Sequence, residues 1–269
     1  MRLSPTDTPP DLSAVAAALG SLAPEFEVRW PDSCESTNTE LMQRTPADDG
    51  RVHVVVTSKQ TAGRGRRGRE WLSWPGSSLT FSALWRFAPG APVPAGLSLV
   101  AGLALALTFE KLGVEGVQLK WPNDVLVHGH KLAGILVELL PGRGRTPAAV
   151  IGIGINLEIP HGVHIPDQPG VTDLKRELGS APGREALLAA VLTDLHTLLN
   201  TYAAAGFGAL RGAWQQRNAF AGLPVQISGE GGTVSGNCIG ADEDGALLIR
   251  SDSGVIRILS GEVSLRLHP

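Results

Sequence analysis

A chain of 269 residues, 43% of them hydrophobic, can bury a full core and is long enough for one large domain with a smaller one attached. Its formal net charge of -3 argues against the broad basic surface that a nucleic-acid backbone calls for. The two cysteines, Cys34 and Cys238, fit neither a disulfide framework nor a metal-ligand spacing, which points to a reducing cytoplasm.

Met1 to Pro10 is polar and proline-rich, without the charged-then-apolar pattern of an export signal. Asp11 to Leu19 reads as a short helix closed by Gly20, too little for a helix-turn-helix module. Ser36-Thr37-Asn38-Thr39-Glu40 carries a capping-box signature at Thr37 and Glu40, opening a helix through Leu41 and Met42. His53 to Ser58 is a strand of β-branched residues, and Ser78 to Trp85 is a second. Ala95 to Phe109 is apolar nearly all round but short of a membrane span, so Leu97 to Lys111 is expected as a buried helix. Val117 to Lys120, Val125 to Val127, Ala133 to Leu139 and Ala148 to Leu157 complete a sheet, with turns at Pro122-Asn123 and His128-Gly129. Pro141 to Arg145 reads as a solvated hairpin tip, and Arg184 to Tyr202 as a helix with apolar residues at helical spacing. From about Gly222 the texture changes to short alternating strands, at 225–227, 247–249 and 255–259, which suit a small SH3-like barrel.

Between the first two long strands lies Gln60-Thr61-Ala62-Gly63-Arg64-Gly65-Arg66-Arg67-Gly68-Arg69-Glu70-Trp71, with four guanidinium groups on a glycine-rich loop. Glycines let the backbone turn sharply and come close to a ligand, and arginines offer planar charged forks to phosphate or carboxylate oxygens. Gly63, Gly65 and Gly68 spell G-x-G-x-x-G, but Trp74-Pro75-Gly76 and another strand follow where a dinucleotide fold needs a helix. No P-loop motif is present in the sequence. A small anionic ligand is the better reading.

Three constellations accompany the loop. Lys120-Trp121-Pro122-Asn123-Asp124 and Lys131-Leu132-Ala133-Gly134-Ile135-Leu136-Val137-Glu138 bring a lysine, an asparagine and a carboxylate to one end of the sheet. Gly152-Ile153-Gly154-Ile155-Asn156 leaves room beside a strand and ends in a polar tip. Glu35-Ser36-Thr37-Asn38 sets small hydroxyls at a helix start. Each has a plainer reading: Ser36 and Thr37 as caps, Asn156 at a bulge, Asp124 in an Asx turn, Trp121 in the core. Trp71 is different, because packing alone gives it little reason to sit in a charged loop.

Taken together and in this order, Ser36-Thr37-Asn38, the G-R-G-R-R-G loop, K-W-P-N-D, K-L-A-G-I-L-V-E, G-I-G-I-N and the closing Gly261 to Arg266 resemble biotin protein ligase, over about residues 30 to 269. The resemblance implies an α+β fold, a mixed central sheet with flanking helices of the class II synthetase-like, biotin-lipoate ligase type, plus the C-terminal SH3-like barrel. Its expected divisions are an N-terminal extension (1–29), a catalytic domain (30–220) and the barrel (221–269). It implies MgATP-dependent activation of biotin to biotinyl-5′-AMP and transfer to one lysine of a biotin carboxyl carrier protein, in the cytoplasm, with no resident metal, membrane or specific DNA partner.

By the same resemblance Ser36, Thr37, Asn38, Gln60, Gly65 and Gly134 serve biotin, with hydrogen bonds from Ser36, Thr37 and Gln60 to its ureido ring. Arg64, Arg66 and Lys131 meet the carboxylate and phosphate, Arg69, Asn123 and Asn156 serve the nucleotide, and Trp71 packs on adenine. Arg66, Lys131 and Asp124 form the catalytic set, Asp124 orienting the incoming amine. Larger bacterial members carry an N-terminal repressor module, and with only about 30 residues before the catalytic domain the monofunctional form is expected; a homodimer is left open. A lipoate ligase or octanoyl transferase shares this fold and chemistry and is the alternative.

Overall fold

The computed structural model describes residues 10–88, 91, 95–140, 147–160, 170–229, 232–259 and 264–267. In chain order these form α1 (Leu12–Leu19), β1 (Phe26–Arg29), β2 (Ser33–Cys34), α2 (Thr37–Arg44), β3 (Val52–Thr57), β4 (Lys59–Gln60), β5 (Ser78–Arg86) and α3 (Leu97–Lys111). There follow β6 (Val117–Lys120), β7 (Asp124–Val127), β8 (His130–Leu140), β9 (Ala148–Asn156), α4 (Leu174–Leu178), α5 (Arg184–Ala205) and α6 (Gly208–Gln215). The last segment supplies β10 (Pro224–Gly229), β11 (Gly232–Ala241), β12 (Leu247–Ser251), β13 (Gly254–Ile258) and β14 (Ser264–Leu267). The expected hairpin tip at Pro141 to Arg145 lies outside the described residues.

Seven strands make a mixed sheet in the order β1-β3-β5-β9-β8-β7-β6, with β1 parallel to β3 and the other pairs antiparallel. Alternation along β5 and β9 gives this sheet two unlike faces, because successive side chains point to opposite sides. Leu79, Phe81, Ala83 and Trp85 share one face with Ile151, Ile153 and Ile155, and all are buried in a continuous core with α3 and α5. Ser78, Thr80 and Ser82 share the other with Asn156, Gly154 and Gly152, their register partners. That second face is small and polar, and α2 covers only its far end, where Leu41 packs with Val55, Leu84 and Val150.

The N-terminal helix forms as its sequence implies: Asp11 accepts the N–H groups of Ser13 and Ala14, and Gly20 ends it at φ +57. Residues 12–29, set apart in the sequence as an extension, belong to the same core through Val15, Leu19 and Phe26. The capping box at Thr37 and Glu40 is not used. Ser36 occupies the N-cap position in extended conformation without a side-chain cap, Thr37 is already helical, and Glu40 pairs with Arg44 at 2.8 Å instead.

The C-terminal segment is a five-stranded antiparallel sheet, order β13-β12-β11-β10-β14, in keeping with the small barrel expected. The sequence does not announce β11, because glycines interrupt it. They are there for close approach: a Cβ on Gly236 would lie 2.4 Å from the Arg250 carbonyl oxygen, and one on Gly240 (φ +129) would strike the Gln215 amide. This sheet docks on the larger one through Trp121, 1% exposed, whose indole N–H donates to the Gly245 carbonyl at 3.0 Å. Trp121→Phe leaves that buried carbonyl unpaired and is expected to lower the unfolding free energy by about 1–3 kcal/mol, read from urea denaturation; an unchanged midpoint would deny the contact any weight.

Candidate active site

A cavity of about 530 Å³ opens over the polar face of the sheet, between the glycine-rich loop and the β6–β8 strands. The loop folds back on itself: Trp71 N–H donates to the Gly63 carbonyl at 3.0 Å, and Gly65 N–H to that of Arg69 at 2.7 Å. Its arms cross where Gly63 is, since a Cβ there would lie 2.3 Å from the Trp71 carbonyl oxygen. The tip is a single 3-10 turn, Arg66–Gly68, with Arg67 at φ +59. The base is tied down by Ser73 Oγ on the Gln60 N–H and by backbone bonds from Thr61 and Ala62 to Cys34 and Glu35.

One end of the cavity is a neutral hydrogen-bond network. Gln60 Oε1 accepts the Thr37 N–H at 2.8 Å and its hydroxyl at 3.3 Å. The buried hydroxyl of Ser82 is shared between Thr37 Oγ1, at 2.6 Å, and Asn38 Oδ1. Asn38 Nδ2 in turn donates to Glu138 Oε2 at 2.8 Å and to the Leu136 carbonyl at 3.2 Å. Gly152 makes this possible, because a Cβ would stand 2.2 Å from Asn38 Oδ1.

The other end is charged. Lys131 Nζ lies 2.8 Å from Asp124 Oδ1 and 5.7 Å from the centroid of the Trp71 ring. The indole rests on glycine: a Cβ on Gly154 would be 2.3 Å from two of its ring atoms, and one on Gly134 would be 3.0 Å away. Arg66, Arg67, Arg69, Lys120 and Asn123 line the cavity with them. The backbone of Lys131 is held on both sides, its N–H by the Gly170 carbonyl and its carbonyl by the Thr172 N–H. Burial pushes the thiols of Cys34 and Cys238 above their ordinary pKa, so neither is primed as a nucleophile.

Of the residues singled out in the sequence, Ser36, Thr37, Asn38, Gln60, Arg64, Gly65, Arg66, Arg69, Trp71, Asn123, Asp124, Lys131 and Gly134 all line this cavity. Asn156 does not. Its Nδ2 donates to the carbonyls of Thr172 at 3.0 Å and Lys131 at 3.4 Å, so it braces the backbone beside the lysine instead of facing a nucleotide. Arg64, expected at the carboxylate and phosphate, is paired with a carboxylate of the protein itself. Its Nη2 donates to both oxygens of Glu138, at 2.8 and 3.1 Å, four residues along β8 from Gly134. Asn123 spends its Nδ2 on the Ile135 carbonyl at 3.0 Å, fixing the turn that carries Asp124. Ser82 and Thr80, the latter with a buried unpartnered hydroxyl, were not foreseen, although the Ser-x-Thr-x-Ser alternation of β5 carried the signal.

The model of the biotin/lipoate A/B protein ligase family matches residues 30–156, and that of the biotin protein ligase C-terminal domain matches residues 221–266. The chain is 35% identical over 232 residues to the bifunctional ligase/repressor BirA of Escherichia coli, covering 86% of this chain and 72% of that one. It is 37% identical over 246 residues to a biotin–acetyl-CoA-carboxylase ligase of Paracoccus denitrificans, covering 85% and 96%. The structure of an Aquifex aeolicus biotin protein ligase in complex with biotin and ATP is similar at a TM-score of 0.77 with 31% identity, covering 90% of this chain and 99% of that one.

Proposed function

This chain belongs to the biotin protein ligase family, and we propose that its cavity activates biotin with ATP and passes the biotinyl group to a lysine of acetyl-CoA carboxylase. The observation that carries the reading is the polarity of the cavity along the strands. A neutral network around Thr37, Asn38, Gln60 and Ser82 suits the uncharged ureido ring, glycines and apolar walls suit the thioether ring and tail, and Lys131 with the arginines suits the carboxylate and phosphates.

In the first step a biotin carboxylate oxygen attacks the α-phosphorus, and pyrophosphate leaves with the electron pair of the broken P–O bond. Negative charge grows on phosphate oxygens, and a fixed ammonium at Lys131 with the Arg66 and Arg69 guanidinium groups is the efficient answer to it. Asp124, the carboxylate at that end of the cavity, would help to hold a magnesium ion brought with the nucleotide, and the ion would add positive charge beside the phosphates. In the second step the carrier amine attacks the acyl carbon, the bond from that carbon to the phosphate oxygen breaks, AMP leaves with its electron pair and the amine's proton passes to solvent; Asp124, 2.8 Å from Lys131, orients that amine. No protein nucleophile takes part. The folded loop keeps the acyl-adenylate from water and stray amines until the carrier lysine arrives.

Isothermal titration with biotin and with lipoate, each beside a non-hydrolysable ATP analogue, tests the substrate. Biotin is expected to bind and lipoate to give no heat; binding of lipoate, or of neither, would overturn the assignment.

A further inference from the structure

Glu138 holds two side chains that reach the cavity from opposite sides. Asn38 comes from α2 and donates its Nδ2 to Oε2 at 2.8 Å; Arg64 comes from the glycine-rich loop and donates to both carboxylate oxygens. An ionised carboxylate only accepts hydrogen bonds, as does the Leu136 carbonyl 3.2 Å from Asn38 Nδ2, so Glu138 and that carbonyl together turn the Asn38 nitrogen outward and its carbonyl toward Ser82. The same charge ties the first arm of the loop to β8 through the Arg64 guanidinium. Glu138 itself is not among the residues lining the cavity.

We propose that Glu138 is a positioning residue for biotin: by holding Asn38 in one amide orientation and Arg64 at the neutral end, it couples recognition of the ureido ring to closure of the loop. This rests on the function proposed above. Glu138→Gln keeps the shape but can donate as well as accept, so Asn38 loses the stronger of the two acceptors that fix its amide and Arg64 loses its counter-ion.

The experiment is steady-state kinetics of wild type, E138Q, R64Q and the double variant, with biotin and ATP varied separately. E138Q is expected to raise KM for biotin about tenfold, while KM for ATP and kcat stay within about twofold. Because Glu138 acts partly through Arg64, the double variant is expected to lose less than the product of the two single losses. Should E138Q not fold, E138D, which keeps the charge but withdraws it from Asn38 and Arg64, carries the same test with the same biotin-selective loss. An unchanged KM for biotin, a rise in KM for ATP instead, or multiplicative losses would overturn the role of Glu138. A wild-type enzyme that consumed no biotin would overturn the substrate and this role together, whereas wild-type turnover with an indifferent E138Q would remove only the role.

Discussion

Lys131→Arg is expected to lower the rate of adenylate formation about a hundredfold while weakening biotin binding far less. Charge is conserved in this substitution and position is not. The ammonium sits 2.8 Å from Asp124 in a space closed by Trp71 on one side and by Gly134 on the other, where even a Cβ would come within 3.2 Å of Nζ. A guanidinium is wider and planar and presents its donors along fixed directions, so it cannot place a donor where the compact ammonium does. Recognition of the ureido ring lies at the far end of the strands and is untouched. Single-turnover measurement of pyrophosphate release, paired with titration of biotin, separates the two effects. A full adenylation rate would show that only charge matters at this position.

Gly154→Ala is expected to weaken biotin binding about ten- to hundredfold and to do so without unfolding the protein. The added methyl would stand 2.3 Å from two atoms of the Trp71 ring, a distance no packed structure tolerates. Trp71 belongs to a loop, so the ring can be displaced where a neighbouring strand could not be, and the fold survives while the cavity loses its wall. Gly183→Ala is the control, since nothing lies within 4 Å of a Cβ there. Titration of both variants with biotin, beside a thermal melt, gives the comparison. Equal affinity in the two would mean that Trp71 does not form the wall of the ligand site.

These two expectations have different origins. That Lys131 and Asp124 lie together follows from a tight turn between neighbouring strands, and the K-W-P-N-D and K-L-A-G segments show it in the sequence. That Trp71 lies on Gly154 joins residues more than eighty positions apart. The glycines announced that something would come close to β9; they did not say that it would be this indole at Gly154 and Asn38 at Gly152.

What the sequence determined by itself was the kind of surface each segment offers. Alternation in Ser78 to Trp85 and Ala148 to Asn156 already divides the sheet into a face for helices and a face for a ligand, because a strand's side-chain period of two is local and independent of its neighbours. The glycine-rich arginine loop declared an anion site for the same reason: conformational freedom and charge are properties of the residues present. Only the tertiary structure decided which partners those groups meet. Arg64 and Glu138 are 74 residues apart, Asn38 and Glu138 are 100 apart, and Trp121 and Gly245 are 124 apart. No local pattern encodes such pairs. A guanidinium suits a phosphate and a carboxylate equally well, and an asparagine suits a ligand and a backbone carbonyl equally well. Strand order settles the choice by fixing what stands within hydrogen-bond reach, and here it gave Arg64 to Glu138 and Asn156 to the backbone that holds Lys131.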